Sequence, residues 1–281
     1  MEEKNKNDGI EHIKVLFDQI SQDYEDVYLQ SLEPKVFGFV TEKHLQQFLP
    51  ADKNAVILDA GGGTGRWTRP LAKMGYRVVL CDISSGMLAQ AEKKLREDNL
   101  LDKVEIRLED IASLSFESEM FDFVMCEDGP FSITPETENA AKELTRVLKR
   151  GGIIWTGGVG RYPVVLQELK TDPEKALKLA QCEQNFVRYK GAQARIFNPE
   201  ELEELFKKNG VTIEKMYGYR IATQVFPPGY EEKEGRMVKS GPSYTESFIN
   251  KVAEIELLLS EDPSLLGMAD YIQIVGRKVD A

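Results

Sequence analysis

The chain has 281 residues, of which 42% are hydrophobic and 30% charged, as in ordinary globular proteins. Its formal net charge is −11, because 47 acidic side chains face 36 basic ones, so it lacks the basic excess with which proteins neutralise nucleic-acid phosphates. No apolar run approaches the ~20 residues of a membrane span, and the polar start MEEKNKNDGI is not a secretory signal.

Residues 10–49 are predicted to form two helices ahead of any sheet. They cover IEHIKVLFDQISQDYEDVY and PKVFGFVTEKHLQQFL, in which apolar residues recur at helical spacing. His12 and His44 lie on these helices. No catalytic role is assigned to them, because a lone histidine is more often a surface or satisfied residue than a base.

The stretch LDAGGGTGRW, Leu58–Trp67, places a glycine-rich turn after a short apolar run. The run AVIL at 55–58 predicts a strand buried on both faces of a parallel sheet. A short helix that Gly75 ends and a second apolar strand at 78–80 complete a βαβ unit. The first loop of such a unit lies at the carboxyl edge of the sheet, where open α/β sheets bind ligands.

The glycine spacing argues against two common phosphate-binding loops. A P-loop closes with Gly-Lys-Ser/Thr, whereas Arg66 and Trp67 follow Gly65. The dinucleotide pattern G-x-G-x-x-G would place its third glycine at Arg66. What remains is G-x-G-x-G at Gly61, Gly63 and Gly65, which permits positive φ and close approach of a ligand to the backbone. The turn suits a nucleoside with an uncharged or zwitterionic tail.

The next elements continue the alternation of helices and strands. An amphipathic helix over SGMLAQAEKKLRED precedes a third strand at Val104–Leu108, and a fourth is predicted at Phe121–Cys126. The following helix is predicted to begin with Thr134 as N-cap and Pro135 at its first position. A fifth strand starts at Ile153.

Two insertions interrupt the second half of the chain. The first, at about 161–197, precedes a helix for which Asn198 is the predicted N-cap. The second, at about 222–268, lies between the strands VTIEKMYGY and DYIQIVGRK. Both are rich in aromatic residues, as expected of a cover over an apolar ligand pocket.

The segment ILDAGGGTGRWTRPLAKMGYRVVLCDIS resembles the cofactor-binding segment of class I S-adenosylmethionine-dependent methyltransferases, and RVLKRGG before a strand is typical of them. The similarity runs through residues 54–158. It implies an α/β fold with a doubly wound, seven-stranded, mostly parallel sheet, the Rossmann-like methyltransferase fold, with helical caps from the N-terminal segment and the C-terminal half. It also implies S-adenosyl-L-methionine as the cofactor.

The resemblance assigns a set of cofactor-binding residues. The acid at Asp82 would bind both ribose hydroxyls, since a carboxylate accepts two charge-assisted hydrogen bonds from a diol. Ile83 and Met87 would flank the adenine, with Asp110 and Ile111 beside its amine. The full set is Tyr24, Asp59, Gly61, Gly63, Gly65, Asp82, Ile83, Met87, Asp110, Ile111 and Glu127. No metal site is expected.

Some of these positions keep a second interpretation. Asp59 would anchor the glycine turn by accepting its N–H groups, and Asp82 could instead cap the next helix. Tyr24 lies in FDQISQDYE, which resembles the F-D-x-x-A-x-x-Y-D signature of many small-molecule methyltransferases; it would close over the cofactor or else be a core residue. Glu127, in EDGPF, would shape the floor under the methionine moiety chiefly through backbone groups.

The sequence names no catalytic residue. A sulfonium methyl is already activated, so alignment of the acceptor supplies much of the catalysis. If a general base operates, Tyr24, Glu127 and Asp128 hold suitable positions. Cys81 and Cys126, at strand ends, are expected to be buried small hydrophobes rather than ligands of a metalloid.

Residues 1–49 are therefore expected to form a helical cap segment, and residues 50–281 a methyltransferase domain with two lid insertions. The expected enzyme methylates an O, N or S nucleophile of a small or medium-sized organic molecule, as a cytoplasmic monomer or homodimer. A protein or tRNA methyltransferase, or a non-catalytic S-adenosylmethionine-binding protein on the same fold, are the alternatives. Partners other than the small acceptor, nucleic acids and membranes included, are not expected.

Overall fold

In the computed structural model, residues 2–189, 192–233 and 236–279 are described. The N-terminal part contains helix α1 (Glu2–Ile20), a π-helical turn (Tyr24–Tyr28) and helix α2 (Leu32–Leu45). Two helices are thus present as predicted, but the end of the first predicted helix forms the π-helical turn, and α2 ends at Leu45 instead of Leu49.

Strands and helices alternate through the remaining chain. The strands are β1 (Val56–Ala60), β2 (Arg77–Asp82), β3 (Val104–Leu108), β4 (Phe121–Cys126), β5 (Leu148–Gly160), β6 (Phe186–Tyr189), β7 (Ala192–Phe197), β8 (Val211–Tyr219), β9 (Tyr230–Lys233), β10 (Arg236–Lys239) and β11 (Tyr271–Lys278). The helices are α3 (Thr68–Lys73), α4 (Ser85–Glu97), α5 (Pro130–Ile133), α6 (Thr137–Val147), α7 (Arg161–Glu168), α8 (Pro173–Ala180), α9 (Pro199–Lys207) and α10 (Glu246–Ser260), with 3₁₀ turns at Ala222–Val225 and Pro263–Met268.

Seven strands form the central sheet in the order β3-β2-β1-β4-β5-β11-β8. Neighbours are parallel except around β11, which is antiparallel to both β5 and β8. β7 joins the end of β5 in parallel and pairs with β6, whereas β9 and β10 form a separate hairpin. The predicted doubly wound, mostly parallel fold is confirmed.

Two apolar clusters cover the two faces of the sheet. Helices α2, α3 and α4 pack on one face, and α5, α6 and α9 on the other. The apolar stripe predicted for α4 is buried, with Met87, Leu88, Ala91 and Leu95 all at most 7% exposed. The carboxyl ends of β1, β2 and β4 therefore open at one edge of a rigid sheet.

The predicted start of the helix after β4 is wrong. Pro130 instead begins the short helix α5, which ends before Thr134, and α6 begins at Thr137 after Glu136. Thr134 has ψ 134°, because Pro135 disfavours a helical conformation in the residue before it. The N-cap predicted at Asn198 is confirmed, and it forms a capping box with Glu201.

The first insertion is held to the sheet by a buried arginine. Arg161, 1% exposed, donates to the side chains of Asn198 and Glu201 and to the carbonyl oxygens of Leu179 and Gln184. These bonds join α7 and α8 to the start of α9. The insertion therefore packs as a layer beside the sheet.

The second insertion contacts the N-terminal segment. Arg236 of β10 binds both carboxylate oxygens of Asp23, with Nη2 2.6 Å from Oδ1. Tyr230 of β9 packs edge-on against Tyr28, with ring centroids 5.4 Å apart. The hairpin thus supports the π-helical turn from outside.

Candidate active site

The glycine turn after β1 is tied to the neighbouring strand. The N–H groups of Gly61 and Gly62 donate to the carbonyl oxygen of Cys81, at 2.8 and 3.1 Å. Gly61 and Gly63 have φ values of +71° and +56°, which glycine adopts without a steric penalty. A Cβ on Gly62 would lie 2.5 Å from Leu80 and 2.6 Å from Asp59, whereas one on Gly63 meets nothing closer than 3.9 Å. Gly63 therefore leaves room beside the backbone.

Asp59 holds the helix after the turn rather than the turn itself. Its Oδ2 accepts a hydrogen bond from the Thr68 hydroxyl at 2.6 Å. The N–H groups of the turn, which Asp59 was expected to accept, donate to the Cys81 carbonyl oxygen instead. Burial raises the pKa of Asp59 to about 6. The carboxyl lies directly below the cavity described next.

Asp82 faces the glycine turn from the end of β2. Its Oδ2 accepts the Gly63 N–H at 2.9 Å, and its Oδ1 accepts the Ser84 N–H at 2.8 Å. The helix-cap interpretation of Asp82 is wrong, because the Ser84 hydroxyl caps α4 by accepting the Met87 N–H. Burial raises the pKa of Asp82 to about 6. Since a carboxylate accepts about four hydrogen bonds, capacity remains for a diol.

A cavity of about 940 Å³, including its open mouth, lies over these residues. It is lined by Tyr24, Asp59, Gly61, Gly63, Asp82, Ile83, Met87, Asp110, Ile111 and Glu127. Gly65 is not among the lining residues. Its φ of +79° shapes the turn, and a Cβ there would make only an ordinary contact with Ala91, at 3.5 Å. Among the described residues, neither insertion contributes to the lining.

Helix α1 covers the cavity instead, through residues that the sequence did not single out. Ile10, Ile13 and Phe17 face the cavity. Asp18 fixes the helix in place by accepting the Ser84 hydroxyl at 2.6 Å and the Gly86 N–H at 2.7 Å. A Cβ on Gly86 would lie 3.0 Å from Asp18. This glycine in the first turn of α4 is therefore the feature of the sequence that could have indicated the close packing of α1.

The π-helical turn closes the other side of the opening. Glu25 accepts the Thr64 hydroxyl at 2.8 Å and pairs with Lys94 of α4. Tyr24 is half-buried, lines the cavity and packs 4.9 Å from the ring of Tyr28. Tyr24 thus belongs to a small apolar cluster and to the cavity wall at the same time.

An arginine–carboxylate cluster, made of Glu33, Arg66, Asp128, Arg220 and Asp270, adjoins the cavity. Asp128 accepts from Arg66 Nη1 at 3.3 Å through one oxygen and from Arg220 through the other. Arg220 also pairs with Glu33. Arg66 Nη2 also donates a hydrogen bond to the Pro34 carbonyl oxygen, 2.5 Å away. The cluster therefore joins the loops after β1, β4 and β8 to α2.

Glu127 enters the site through its side chain, where backbone groups were expected. It is 5% exposed and lines the cavity. Oε2 accepts the indole N–H of Trp155, and Oε1 is buried with no hydrogen-bond partner. Burial and then the neighbouring Asp128 raise the pKa of Glu127 to about 8. An unpartnered carboxyl oxygen inside a cavity is a receptor for a hydrogen-bond donor.

The cysteines and histidines lie elsewhere. Cys81 and Cys126 are fully buried in an apolar cluster, and burial raises the pKa of both thiols. His44 is buried between Tyr219 and Glu261, in contact with both. Within the described ranges, no three His, Cys, Asp or Glu side chains are grouped to hold a metal ion, and no helix is long and apolar enough to cross a bilayer.

Comparison with known proteins identifies the central part of the chain. Residues 57–152 match a family model described as a methyltransferase domain. The match confirms the predicted resemblance of this region to the S-adenosylmethionine-dependent methyltransferases. A methyltransferase structure from Methanosarcina mazei covers 85% of the chain and 98% of its own, with a TM-score of 0.56 and 20% identity, which shows a shared fold.

Relatives of known function match only in part. The demethylmenaquinone methyltransferase of Lactiplantibacillus plantarum is 30% identical over 52% of this chain and 61% of its own. The phosphatidylethanolamine N-methyltransferase of Cereibacter sphaeroides is 36% identical over 34% and 46%, respectively. The chain thus spans less than two thirds of the length of these relatives.

The cavity fits S-adenosylmethionine, the cofactor of this class. Open space over Gly63 admits a ligand against the backbone, and Asp82 keeps acceptor capacity for a ribose. Apolar side chains of Ile83, Met87 and Ile111 line one end, as a base requires. The unpartnered oxygen of Glu127 marks the other end as polar.

Two adjacent glycines of the turn should respond differently to alanine. In Gly62→Ala the new Cβ overlaps Leu80 and Asp59, so we expect a loss of ~1–3 kcal/mol of folding free energy. In Gly63→Ala the Cβ enters open space, and the left-handed backbone costs ~1–2 kcal/mol. This second variant should fold yet lose S-adenosylhomocysteine binding, as measured by thermal melting and calorimetry. Full binding by a folded Gly63→Ala protein would contradict the placement of the ligand.

The raised pKa of Glu127 should appear in the pH dependence of folding. The ordinary value is 4.5, so between about pH 4.5 and pH 8 the folded protein holds a proton that the unfolded chain has lost. The stabilisation by this proton is complete below pH 4.5 and is lost as pH rises to about 8. Glu127→Gln removes this titration, so its free energy of unfolding should gain on the wild type as pH rises. Each pKa unit corresponds to about 1.4 kcal/mol.

Urea unfolding between pH 5 and pH 9 measures this difference. Glu254→Gln, on the exposed surface of α10, provides the control, and its curve should run parallel to the wild type. A parallel curve for Glu127→Gln as well would mean that the carboxyl titrates normally.

Proposed function

We propose that the protein is an enzyme that transfers a methyl group from S-adenosylmethionine to a small or medium-sized organic acceptor. One observation carries the proposal. The open space over Gly63 and the buried carboxyl of Asp82 face the same cavity at the carboxyl edge of a methyltransferase-type sheet. This arrangement suits a nucleoside that continues into an amino-acid tail.

The proposed roles of the residues follow from their positions along the cavity. Asp82 accepts the ribose hydroxyls, and Ile83, Met87, Asp110 and Ile111 surround the adenine. Gly61 and Gly63 let the tail approach the backbone, with Asp59 below. Tyr24 and α1 exclude water above the ligand, which strengthens electrostatic interactions at the reacting centre.

Carbon is a possible methylated atom besides oxygen, nitrogen and sulfur, because another relative is named a ubiquinone/menaquinone biosynthesis C-methyltransferase. One relative acts on demethylmenaquinone and another on phosphatidylethanolamine, and both acceptors are organic molecules rather than macromolecules. The net charge of −11 also favours such an acceptor over tRNA. Its identity, the oligomeric state and a cytoplasmic location remain predictions.

Binding of S-adenosylhomocysteine tests the function directly. We expect the wild type to bind it in calorimetry and NAD to give no heat. Asp82→Asn keeps one acceptor oxygen but loses the charge, so affinity should fall roughly ten- to a hundredfold, or about 1.4–2.8 kcal/mol. Unchanged folding of the variant, checked by melting, is the control. Failure of the wild type to bind would refute the proposed function.

Cofactor should also order the N-terminal segment. Covers that gate active sites come from the less stable parts of a structure. Hydrogen exchange with and without S-adenosylhomocysteine should therefore show new protection near Tyr24 as well as around Gly61–Gly65. Equal protection of α1 and Tyr24 in both states would make this segment a fixed layer.

A further inference from the structure

The two carboxyl groups that follow β4 are neighbours in sequence with opposite surroundings. Both oxygens of Asp128 are occupied, one by Arg220 and the other by Arg66 and the Tyr28 hydroxyl at 3.4 Å. Glu127 has the Trp155 indole on Oε2 and no partner on Oε1. Both oxygens of Asp128 are therefore bonded within the protein, whereas Glu127, on the cavity wall, retains a buried oxygen without a hydrogen-bond partner.

The groups packed around Glu127 keep it uncharged when no cation is near. Tyr219 of β8, Tyr271 of β11 and Cys126 of β4 are neutral, and Asp128 adds a negative charge. The opposing positive charges of Arg66 and Arg220 are paired with carboxylates. Burial and Asp128 accordingly raise the pKa of Glu127 to about 8. Adjacent acids held in different states typically divide structural and proton-transfer roles.

Three residues at the site occupy positions suited to a general base: Tyr24, Glu127 and Asp128. Both oxygens of Asp128 already accept hydrogen bonds from guanidinium groups. Tyr24 carries a neutral phenol, which accepts protons poorly until it has ionised. Glu127 alone combines a buried, unpartnered oxygen with a place on the cavity wall.

We propose that Glu127 accepts the proton that the methyl acceptor loses, so that the acceptor is a molecule with a dissociable proton on or conjugated to its reacting atom. The inference rests on the proposed function and narrows its substrate class. Protonated amines, hydroxyl compounds, thiols and hydroxyl-activated ring carbons belong to this class. Thioethers, which have no such proton, do not.

The proton-transfer step balances without a further reagent. The bond between the acceptor and its hydrogen breaks, and the proton forms an O–H bond with Oε1 of Glu127. The electron pair left on the acceptor forms the new bond to the methyl carbon, directly or through the conjugated ring. The bond between that carbon and sulfur breaks, and its pair stays on sulfur as a neutral thioether. Glu127 then returns the proton to solvent when the product leaves.

Glu127 must be ionised for this step, and a positive charge near Oε1 favours ionisation. Sinefungin, in which an amine-bearing carbon replaces the sulfur and its methyl, supplies such a charge at the position from which the methyl would be delivered. S-adenosylhomocysteine lacks it. The two ligands share the nucleoside and the amino-acid tail, so the difference between them reports the surroundings of the methyl position alone.

Calorimetry with these two ligands, at pH 7 in two buffers of different protonation enthalpy, tests the proposal. The wild type should bind sinefungin at least tenfold more tightly than S-adenosylhomocysteine and release most of one additional proton. Glu127→Gln should bind the two about equally, with no additional proton. Asp270→Asn is the matched control, because it removes a carboxylate from the arginine–carboxylate cluster outside the cavity lining, and it should keep the preference.

Each other outcome overturns the inference. Equal affinities in the wild type would mean that Glu127 does not face the methyl position. An equal loss of affinity for both ligands in Glu127→Gln would assign Glu127 to the tail of the cofactor. If neither ligand binds the wild type, the proposed function fails as well, so the two failures are distinguishable.

A second variant covers the case in which Glu127→Gln does not fold. Trp155→Phe keeps the carboxyl but removes the indole donor that lowers the pKa of Glu127. The pH at which the additional proton is released should then move upward from its wild-type value. An unchanged pH profile would contradict the assignment.

Discussion

The carboxylate of Asp128 is the contact on which the arrangement of the site depends. It receives Arg66 from the loop after β1 and Arg220 from the loop after β8, two strands on opposite sides of β4. Asp128 itself has φ +64°, a left-handed conformation that Asp tolerates better than most residues. Removing it would take one carboxylate partner from each of two partly buried guanidinium groups, which is costly away from bulk water. Asp128 also supplies the negative charge beside Glu127. The same residue therefore holds the loops of the site together and raises the pKa of Glu127.

The strands and the cofactor turn could be predicted because their signals are local. Short apolar runs identified β1 and β2, and the glycine spacing with Asp82 identified the turn and the class of domain. The side chain of Glu127 could not be anticipated in the same way. Its surroundings come from Trp155 on β5 and from Arg220, which lies 93 positions after Glu127 in the sequence. The environment of a buried acid is a property of the folded chain rather than of a motif.

The cover over the cavity shows the same limit. Both the N-terminal segment and the aromatic-rich insertions were expected to cover it, since aromatic residues are common in ligand pockets. Helix α1, fixed by Asp18 on the first turn of α4, lines the cavity, whereas the described residues of the insertions do not. The composition of a segment predicts burial but not which neighbour buries it. The wrong N-cap prediction at Thr134 has a more local cause. The Thr-Pro pair is favourable for a helix start, but Pro130 begins a short helix just before it, and Thr134 ends that helix.

The position of β11 has a consequence for how the protein is made. Among the strands that the structure describes, β11 is the last of the sheet in chain order, lies between β5 and β8, and is the one strand to which β8 is bonded. During synthesis, β1 to β5 can associate as soon as they emerge, whereas β8 has no partner strand until β11 has left the ribosome. Arg220 follows β8 directly, so it reaches Asp128 only at that moment. The part of the cavity over the glycine turn thus forms from the earlier strands, and the part that surrounds Glu127 is completed by β11.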